Sequence, residues 1–383
     1  MYNIQTLNKI SEVGTGALPK DQYSFSDDAK NPVGIMLRSY DMHDFAMPES
    51  VLAVARCGAG VNNIPLEKFA DLGVVVFNTP GANANAVKEL VVLGLLLSSR
   101  KVYQGIKWAE SLEGQEGVAK LVEKGKGNFV GPEIAGKTLA VVGLGAIGLL
   151  VANAAVGLGM NVIGYDPFLS AEFAAQLSPE VKILTDLNEL IATGDYITLH
   201  VPLNPNTKYM INDESLKIAK DGVRIMNFSR ADLVCGESVK KGIASGKVAA
   251  YVIDFPKEDI LGVEGIIPIP HLGASTPESE ENCAYMAAMQ LKEYIELGNI
   301  VNSVNYPNCT LPHTGKTRIC VLSKNACPKA LATAITDAGN QIDAQIDKTR
   351  GDWAYAIFDI AGTPAGDLSV LNNIDGVISY RVI

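Results

Sequence analysis

Short apolar runs and helix-like stretches alternate along most of the chain. Residues 33–37, 51–54 and 74–77 form apolar runs between Gly, Pro and Asp breakers, and a long helical pattern without proline covers residues 85–112. Such runs predict buried strands, and their alternation with helix-like stretches predicts a repeated βα unit.

The same alternation continues in the central part of the chain, after a polar, Gly-rich stretch at residues 120–131. Strand-like runs occupy residues 138–142, 161–165, 196–200, 224–227 and 249–253. Because helix-like segments separate these runs, they predict a parallel, doubly wound sheet covered by helices on both faces.

A different order follows a second long helical pattern at residues 278–297. This pattern leads into residues 301–306 and then into a segment rich in Pro and Gly, 307–315, which indicates a domain boundary. Beyond it the pattern predicts strand, helix, two strands, a polar helix and a strand at residues 318–322, 329–338, 342–347, 353–360, 365–372 and 377–382. This βαββαβ order predicts a small additional domain.

The composition is that of a folded globular protein of two or three domains, with 383 residues, 48% of them apolar and 19% charged. The formal net charge is −10 without a long basic run, so nucleic acid and membranes are not expected partners. Residues 1–11 lack the pattern of a secretory signal, and the apolar stretches are too short to cross a bilayer, which predicts a cytoplasmic protein. The six cysteines form no CxxC pair and have no nearby His at ligand spacing, so we expect reduced thiols and no metal site.

A strand–loop–helix motif carries the first chemical signal. The strand-like run 138–142 leads directly into Gly143-Leu144-Gly145-Ala146-Ile147-Gly148, and an apolar helical stretch follows. In this context Gly143 permits a tight turn, Gly145 lets the backbone approach a pyrophosphate, and Gly148 lets helix and strand pack closely. The N–H groups at the start of the helix then bind the phosphates. We expect a dinucleotide site here; glycines that only pack a tight βα turn are the alternative.

The next predicted strand ends at Tyr165 and is followed by Asp166. An acidic residue at about this spacing from the glycine loop contacts the adenosine ribose of a bound dinucleotide. A carboxylate there repels the 2′-phosphate of NADP, and no Arg or Lys adjoins Asp166 to compensate. The predicted cofactor is therefore NAD.

Two residues late in the central region suit hydride transfer from a 2-hydroxy acid, which requires a base for the hydroxyl proton and a cation for the carboxylate. Arg230 follows the run 224–227, at the carboxyl end where ligands collect in open α/β sheets, and His271 follows a further strand-like run. We expect His271 to take the proton, Glu258 to orient it and raise its pKa, and Arg230 to hold the carboxylate. A solvated Arg230 and a structural His271 are the alternative.

The other histidines are weaker candidates. His200 precedes Val201-Pro202 at the end of a predicted strand and is a candidate for contact with the cofactor, whereas His43 and His313 lie in polar loops. The sequence has no pattern typical of a Ser-His-Asp triad, so hydrolysis is not expected.

Several motifs resemble those of one family, the D-isomer-specific 2-hydroxyacid dehydrogenases. They are, in order, Arg56-Cys57-Gly58-Ala59-Gly60-Val61-Asn62-Asn63-Ile64, Gly81-Ala82-Asn83-Ala84-Asn85-Ala86-Val87, the glycine loop with Asp166, Leu199-His200-Val201-Pro202-Leu203, Asn227-Phe228-Ser229-Arg230-Ala231 and Pro270-His271-Leu272-Gly273-Ala274-Ser275-Thr276. The resemblance implies an α/β fold with two doubly wound Rossmann-like domains. Residues 1–98 and 284–306 would form a discontinuous substrate-binding domain, and residues 99–283 an NAD-binding domain inserted into it.

The resemblance also implies roles for individual residues. Arg230, Glu258 and His271 match the catalytic trio of the family. Substrate contacts are implied for Arg56, Cys57, Gly58, Ala59, Gly60, Asn83, Arg230 and His271. NAD contacts are implied for Gly143, Gly145, Ala146, Ile147, Gly148, Asp166, His200, Val201, Pro202, Phe228, Ser229, Asp254, Gly273 and Ala274. Arg56 suits a phosphate, because a guanidinium binds phosphate in a bidentate manner; an internal salt bridge is the alternative.

Two positions depart from the family pattern. Ala231 stands where the family usually has Gly after the catalytic arginine. The segment Asp254-Phe255-Pro256-Lys257-Glu258 is one residue shorter than the usual Asp-Val-Phe-x-x-Glu. Glu258 and Glu264 therefore both stay candidates for the partner of His271.

Residues 316–383 resemble an ACT domain, a module that binds amino acids between paired copies. The resemblance implies assembly into a homodimer or homotetramer and, as a second role, feedback control by L-serine. The first turn of this domain, Asn325-Ala326-Cys327-Pro328-Lys329, lacks the usual Gly, although Gly339-Asn340 is present.

The expected reaction is the oxidation of 3-phospho-D-glycerate to 3-phosphohydroxypyruvate with NAD+, which begins serine synthesis. One alternative is another D-2-hydroxy acid as substrate, such as glycerate, lactate or erythronate 4-phosphate. A non-catalytic scaffold that senses NAD is the other.

Overall fold

The computed structural model describes residues 1–325 and 328–383, so the part of the predicted turn formed by Ala326 and Cys327 lies outside the described residues. The chain forms two compact units, which we call unit 1 (Met1–Asn83 with Pro277–Ile383) and unit 2 (Ala84–Thr276). These limits differ from the predicted division at residues 98 and 283. The assignment of substrate binding to one unit stays a prediction.

A five-stranded parallel sheet forms the first part of unit 1. Its strands are β1 Tyr2–Leu7, β2 Tyr23–Ser26, β3 Gly34–Leu37, β4 Ala53–Arg56 and β5 Val75–Phe77, with helices α1 Glu12–Thr15 and α2 Leu66–Asp71 between them in the chain. The spatial order is β2-β1-β3-β4-β5, which is doubly wound, as predicted. Strands β3 and β4 are buried because nearly every side chain in them is apolar.

Unit 2 contains a seven-stranded parallel sheet. Its strands are β6 Thr138–Val142, β7 Asn161–Tyr165, β8 Lys182–Ile183, β9 Tyr196–Leu199, β10 Val223–Asn227, β11 Val248–Ile253 and β12 Ile266–Pro268. Its helices are α3 Ala84–Arg100, α4 Val102–Glu110, α5 Val118–Gly125, α6 Ala146–Gly157, α7 Ala171–Ala174, α8 Leu187–Thr193, α9 Asp213–Ile218 and α10 Gly236–Ala244. The spatial order β12-β11-β10-β9-β6-β7-β8 confirms the predicted second doubly wound domain.

Helix α3 belongs to unit 2 as a whole, although the predicted boundary falls near its end. Its buried side chains Val87, Val91 and Leu95 pack in one apolar cluster with Leu139 and Val141 of β6. A helix is rigid and buries one face, so it stays with the sheet on which that face packs.

The rest of unit 1 begins with the long helix α11 Pro277–Leu297 and ends in a four-stranded antiparallel sheet. The C-terminal elements are β13 Thr317–Lys324, α12 Pro328–Asp337, β14 Ile342–Arg350, β15 Trp353–Ile360 and β16 Val377–Val382, with a 3-10 helix at Leu368–Asn373. The sheet order is β14-β15-β13-β16. This is the βαββαβ organisation predicted from the sequence.

The central strands β13 and β15 are buried on both faces, because successive side chains point to opposite faces and most of them are apolar. Ile319, Val321 and Phe358 pack on one side with Leu331 and Ile335 of α12. On the other side, Cys320, Leu322, Tyr355 and Ile357 join a core cluster that also contains Leu291, Tyr294 and Ile295 of α11. The C-terminal domain therefore shares a hydrophobic core with the rest of unit 1.

Polar groups of the C-terminal domain also satisfy the carbonyl groups at the end of α11. Arg318 is fully buried and forms an ion pair with Asp359, 2.6 Å between Nε and Oδ1, while its Nη1 donates to the Leu297 carbonyl at 2.6 Å. Arg381 donates to the carbonyl oxygens of Tyr294 and Ile295. The last carbonyls of a helix have no partner within it, and cations near them are favourable.

Two predicted elements differ from the structure. The helical pattern 85–112 is interrupted at Lys101, whose φ of 47° is left-handed and separates α3 from α4. The predicted polar helix 365–372 is shorter and is a 3-10 helix.

None of the helices in the described part of the chain is both long and apolar enough to span a membrane.

Candidate active site

The carboxyl ends of the strands of unit 2 meet at one edge of the seven-stranded sheet. Strands β6 and β9 are neighbours there, and the chain proceeds from them in opposite directions across the sheet, which makes this the topological switch point. Ligands of open α/β sheets bind at such points. The glycine loop follows β6 and His200 follows β9. Residues after β7, β10, β11 and β12 bring Asp166, Arg230, Asp254 and His271 to the same edge.

The glycine loop has the shape that a bound pyrophosphate requires. Gly143 has a φ of 87°, and a Cβ there would overlap the carbonyl oxygen of His200; a Cβ on Gly148 would overlap the carbonyl oxygen of Gly143. A Cβ on Gly145, in contrast, would meet no atom within 4 Å, and no side chain caps the N-terminus of α6. Open space beside Gly145, at a helix end with uncapped N–H groups, fits the phosphates of a dinucleotide.

Asp166 holds the glycine loop. Its Oδ2 accepts a hydrogen bond from the Leu144 N–H and its Oδ1 one from the Phe168 N–H, both at 2.9 Å. Each carboxylate oxygen has a second lone pair and can still accept from a ribose hydroxyl. Its predicted contact with ribose stays a prediction.

His200 lies beside the glycine loop as a neutral ring. Burial lowers its pKa to about 3. Its Nε2 is 2.9 Å from the Thr198 hydroxyl, and its Nδ1 is buried without a hydrogen-bond partner among the described residues. A base with so low a pKa is poorly matched to proton transfer near neutral pH. His200 thus suits a structural or cofactor-facing role better than the role of catalytic base.

Asn227, which the sequence analysis did not single out, fixes the loop that carries Arg230. Its buried amide donates to the Arg230 carbonyl at 2.9 Å and accepts from the Ser229 N–H at 3.2 Å. Ser229 in turn donates to the Leu199 carbonyl at 2.8 Å. The signal available in the sequence is a polar residue at the end of an apolar strand. The Phe228 side chain lies in the core, so a contact of this residue with NAD would involve its main chain.

Arg230 and His271 both contact the ring of Phe255. The guanidinium carbon of Arg230 is 5.5 Å from the ring centroid, and the His271 ring is 4.1 Å from it at an interplanar angle of 41°. Arg230 and His271 are exposed, whereas Phe255 is half-buried. The structure thus brings together the cation and the candidate base that the sequence analysis selected, and it adds Phe255, which that analysis did not select.

Asp254 is a buried carboxyl group at the same edge of the sheet. Burial raises its pKa to about 7, against the opposing attraction of Arg230. Its Oδ1 is buried without a hydrogen-bond partner among the described residues. Gly273 is adjacent, since a Cβ on it would lie 3.7 Å from Asp254 Oδ2. A lone acceptor in a buried position suits an amide or hydroxyl donor of a ligand.

Glu258 and Glu264 both stay candidates for the partner of His271. Glu258 begins a 3-10 helix, Glu258–Ile260, and Glu264 precedes β12; both are exposed. The neighbouring Lys257 forms an ion pair with Asp232, which connects this segment to the loop after Arg230.

The predicted substrate residues 56–60 follow β4 in unit 1. Gly58 has a φ of 147°, and a Cβ on it would overlap the Arg56 guanidinium, so a glycine is required for this arginine conformation. Asn78 donates from its side-chain amide to the Ala59 carbonyl at 2.7 Å and holds the loop. Burial raises the pKa of the Cys57 thiol to about 12, which excludes a thiolate role. Gly60 and Asn83 lie in loop segments of the same unit.

Within the described residues, no three His, Cys, Asp or Glu side chains are placed to hold a metal ion. Cys57, Cys235, Cys283, Cys309 and Cys320 form no disulfide.

Residues 94–273 match the family model of the D-isomer specific 2-hydroxyacid dehydrogenase NAD-binding domain. A curated relative, the D-3-phosphoglycerate dehydrogenase of Methanocaldococcus jannaschii, is 32% identical over 301 residues, which cover 77% of this chain and 55% of the relative. The human protein of the same name is 33% identical over 275 residues, 70% of this chain and 49% of the relative. The chain thus spans about half the length of these relatives.

Solved structures show the same fold. The NAD+-bound 3-phosphoglycerate dehydrogenase of Entamoeba histolytica aligns with a TM-score of 0.60 and 24% identity, over 79% of this chain and 98% of that one. The D-mandelate dehydrogenase of Rhodotorula graminis aligns with a TM-score of 0.67 and 18% identity, over 81% and 99%. Residues 94–273 thus carry the NAD-binding domain of the D-isomer specific 2-hydroxyacid dehydrogenase family.

Proposed function

We propose that the chain oxidises 3-phospho-D-glycerate to 3-phosphohydroxypyruvate with NAD+ as the hydride acceptor, the first step of L-serine synthesis. The observation that carries the reaction type is the placement of Arg230 and His271 on one aromatic ring, at the sheet edge that also carries the glycine loop. The substrate rests on the names of the relatives, which are D-3-phosphoglycerate dehydrogenases.

The cofactor site is proposed around the glycine loop. The N–H groups at the start of α6 bind the pyrophosphate in the open space beside Gly145, and Asp166 accepts from the adenosine ribose. Val201, Pro202, Ser229, Asp254 and Ala274 complete the proposed contacts. Bound NAD+ supplies the hydride acceptor.

The residues of the chain move the proton and orient the substrate. His271 takes the proton of the C2 hydroxyl while the C2–H bond breaks, so that C2 becomes a carbonyl carbon and His271 becomes an imidazolium. Arg230 binds the substrate carboxylate through its planar guanidinium. Glu258 or Glu264 stabilises the imidazolium.

A phosphorylated substrate is proposed because Arg56, at the end of β4, has its guanidinium against the backbone of Gly58, in the predicted substrate loop. A guanidinium donates two parallel hydrogen bonds to a phosphate, so the phosphate should contribute to affinity. Arg56→Lys keeps the charge but loses this geometry, and we expect it to raise KM for the phosphorylated substrate much more than kcat falls.

The substrate is tested by the rate of NADH formation with 3-phosphoglycerate and with D-glycerate. The proposal predicts a kcat/KM at least about tenfold higher for 3-phosphoglycerate, equivalent to one or two phosphate hydrogen bonds. Equal values, or a preference for glycerate, lactate or erythronate 4-phosphate, would select the alternative substrate. NADH formation with none of these acids would favour the non-catalytic scaffold.

Self-association is proposed as well, in the form of a homodimer or homotetramer. Helices α4 and α5 have no fully buried residue, yet they carry apolar side chains on one face, such as Val102, Ile106 and Val122, which are 46%, 50% and 36% exposed. Exposed apolar surface of this kind is typical of subunit contacts. We expect Ile106→Asp to reduce the mass measured by light scattering, whereas Val13→Asp, at another exposed apolar position, leaves it unchanged.

Feedback control by L-serine at the C-terminal domain is a further part of the proposal. Asn340 does not offer a free amide, because its side chain bonds to Ile335 of α12 and to Ala365 in the loop after β15. Calorimetric titration of the full chain with L-serine tests this role. Absence of binding heat, with unchanged kinetics, would leave the domain with an assembly or stabilising role alone.

A further inference from the structure

We propose that Phe255 is a positioning residue that fixes the candidate base and the candidate carboxylate-binding arginine with one ring. The inference rests on the proposed function, since it assigns to Phe255 the geometry of the residues that act in that reaction. Phe255 itself exchanges no proton and forms no hydrogen bond through its side chain.

The ring is placed so that a change in it affects both residues. Its centroid is 4.1 Å from the His271 ring centroid and 5.5 Å from the guanidinium carbon of Arg230. At 4.1 Å the two rings are in direct contact, and 5.5 Å lies within the range of favourable cation–π contacts. Since the two side chains come from separate loops, after β10 and after β12, the shared ring couples loops that are distant in the chain.

The Phe255 ring is itself held in place by the side chains on which it packs. Phe255 directly follows Asp254 at the end of β11 and packs against the apolar cluster that includes Tyr251, Ile253 and Leu233. Two residues later, Lys257 forms an ion pair with Asp232, in the loop that follows Arg230. A side chain anchored in this way can hold exposed neighbours in one orientation, which an unsupported surface ring does not do.

The aromatic face also has an electrostatic role. Its quadrupole attracts cations, so it stabilises the Arg230 guanidinium and the imidazolium that forms on His271 during proton transfer. The other charged side chains on the adjoining loops are Asp232, Asp254, Lys257, Glu258, Asp259 and Glu264. They are unchanged when Phe255 alone is replaced, so the effect of the ring can be separated from theirs.

The test compares Phe255→Leu, which keeps apolar bulk without a ring, with Phe255→Tyr, which keeps the ring. For Phe255→Leu we expect a kcat about tenfold lower, a KM for the acid substrate about threefold higher and an unchanged KM for NAD+. The acid limb of the kcat/KM profile should move to lower pH by about half a unit, because the imidazolium loses the π face. Phe255→Tyr should behave as the wild type.

A second readout does not require activity. The chain has only four histidines, so His271 can be assigned in a proton spectrum by its loss in His271→Gln. Phe255→Leu should shift the ring resonance of His271, and leave those of His43 and His313 unmoved. Tyr2→Leu is the matched control, because it removes a ring pair of similar tilt, 43° in the Tyr2–Tyr23 pair, from unit 1; it should alter neither the spectrum of His271 nor the kinetics.

The outcomes separate the two proposals. If the wild type is active and Phe255→Leu has the same kinetics and the same His271 resonance, the positioning role is overturned and the proposed function stays intact. A shifted resonance with unchanged kinetics also overturns it. A wild type inactive with every 2-hydroxy acid overturns the proposed function, whatever the resonance does. If Phe255→Leu does not fold, Phe255→Met fills the same space without a π face and is subject to the same criteria.

Discussion

At the scale of single residues, the environments of two histidines in unit 2 explain why one suits proton transfer and the other does not. His271 is exposed and lies against Phe255. His200 is held neutral by burial, with its pKa lowered to about 3. The sequence analysis selects His271 from its position and motif, and the packing around each ring gives the physical reason for the difference between the two.

The low pKa of His200 predicts a pH dependence of stability. The unfolded chain takes up a proton at this histidine near pH 6.5, whereas the folded chain does so only near pH 3. The contribution of His200 is therefore fully present above about pH 6.5 and is lost as the pH falls from there toward 3. We expect the melting temperature of His200→Gln to fall less than that of the wild type between pH 7 and about pH 4.5. Parallel curves would contradict the neutral, buried ring.

The raised pKa of Asp254 predicts a pH dependence of stability opposite to that of His200. Its folded pKa is raised to about 7 from an ordinary value of 3.8, so the stability linked to it is fully present below about pH 3.8 and is lost as the pH rises through about 7. Asp254→Asn should raise the melting temperature at pH 8, relative to the wild type, and lower the affinity for NAD+. At pH 5 the difference in stability should be much smaller, which provides the internal control. A variant that is less stable than the wild type at pH 8 would show that the carboxylate has an unrecognised partner.

At the scale of elements, the central strands were the most predictable because both their faces are buried. Strands β6 and β7 coincide with the predicted runs 138–142 and 161–165. Strands β1 and β2 were missed because only one residue in each, Ile4 and Tyr23, is fully buried, so their sequences lack a continuous apolar run. The break at Lys101 was missed because a left-handed residue need not be Gly or Asn, and no proline precedes it.

The buried pair between β13 and β15 should dominate the polar contribution to the stability of the C-terminal domain. Arg318 and Asp359 face each other in the register of these strands, with side chains 0% and 3% exposed. Asp359→Asn would leave the guanidinium without a counter-charge in the core, at a cost of about 3–5 kcal/mol in the free energy of unfolding. The matched control is the exposed pair Lys217–Glu214, where Glu214→Gln should leave the free energy of unfolding almost unchanged, because solvent screens an exposed ion pair. Denaturant unfolding measures both; similar values for the two variants would contradict the account.

At the scale of the whole molecule, the C-terminal domain is integrated with the rest of unit 1. Its side chains Cys320, Leu322, Tyr355 and Ile357 lie in the same core cluster as those of α11. The sequence predicts the order of the elements of this domain, but it does not show which face of its sheet packs against α11, because that pairing joins residues far apart in the chain.

A chain that ends at residue 315 should therefore be defective in folding as well as in any regulation. Its loss of the C-terminal sheet exposes Leu291, Tyr294 and Ile295, which are now at most 3% exposed. We expect it to bind a hydrophobic dye and to melt at a lower temperature than the full chain. A truncated chain with unchanged melting temperature would indicate a loosely attached domain.

Residues of the candidate site could be predicted from the sequence where they belong to local motifs, but not where their role depends on packing in the fold. The glycine loop, Asp166, Arg230 and His271 were selected from motif and position, whereas Asn227 and Phe255 act through contacts formed only in the fold.

The most direct test of the central claim is NADH formation from 3-phosphoglycerate by the wild type, His271→Ala and the control His313→Ala. We predict activity in the wild type and His313→Ala, and a kcat lower by about 10²- to 10⁴-fold in His271→Ala. A His271→Ala variant within a few-fold of the wild type would contradict the account.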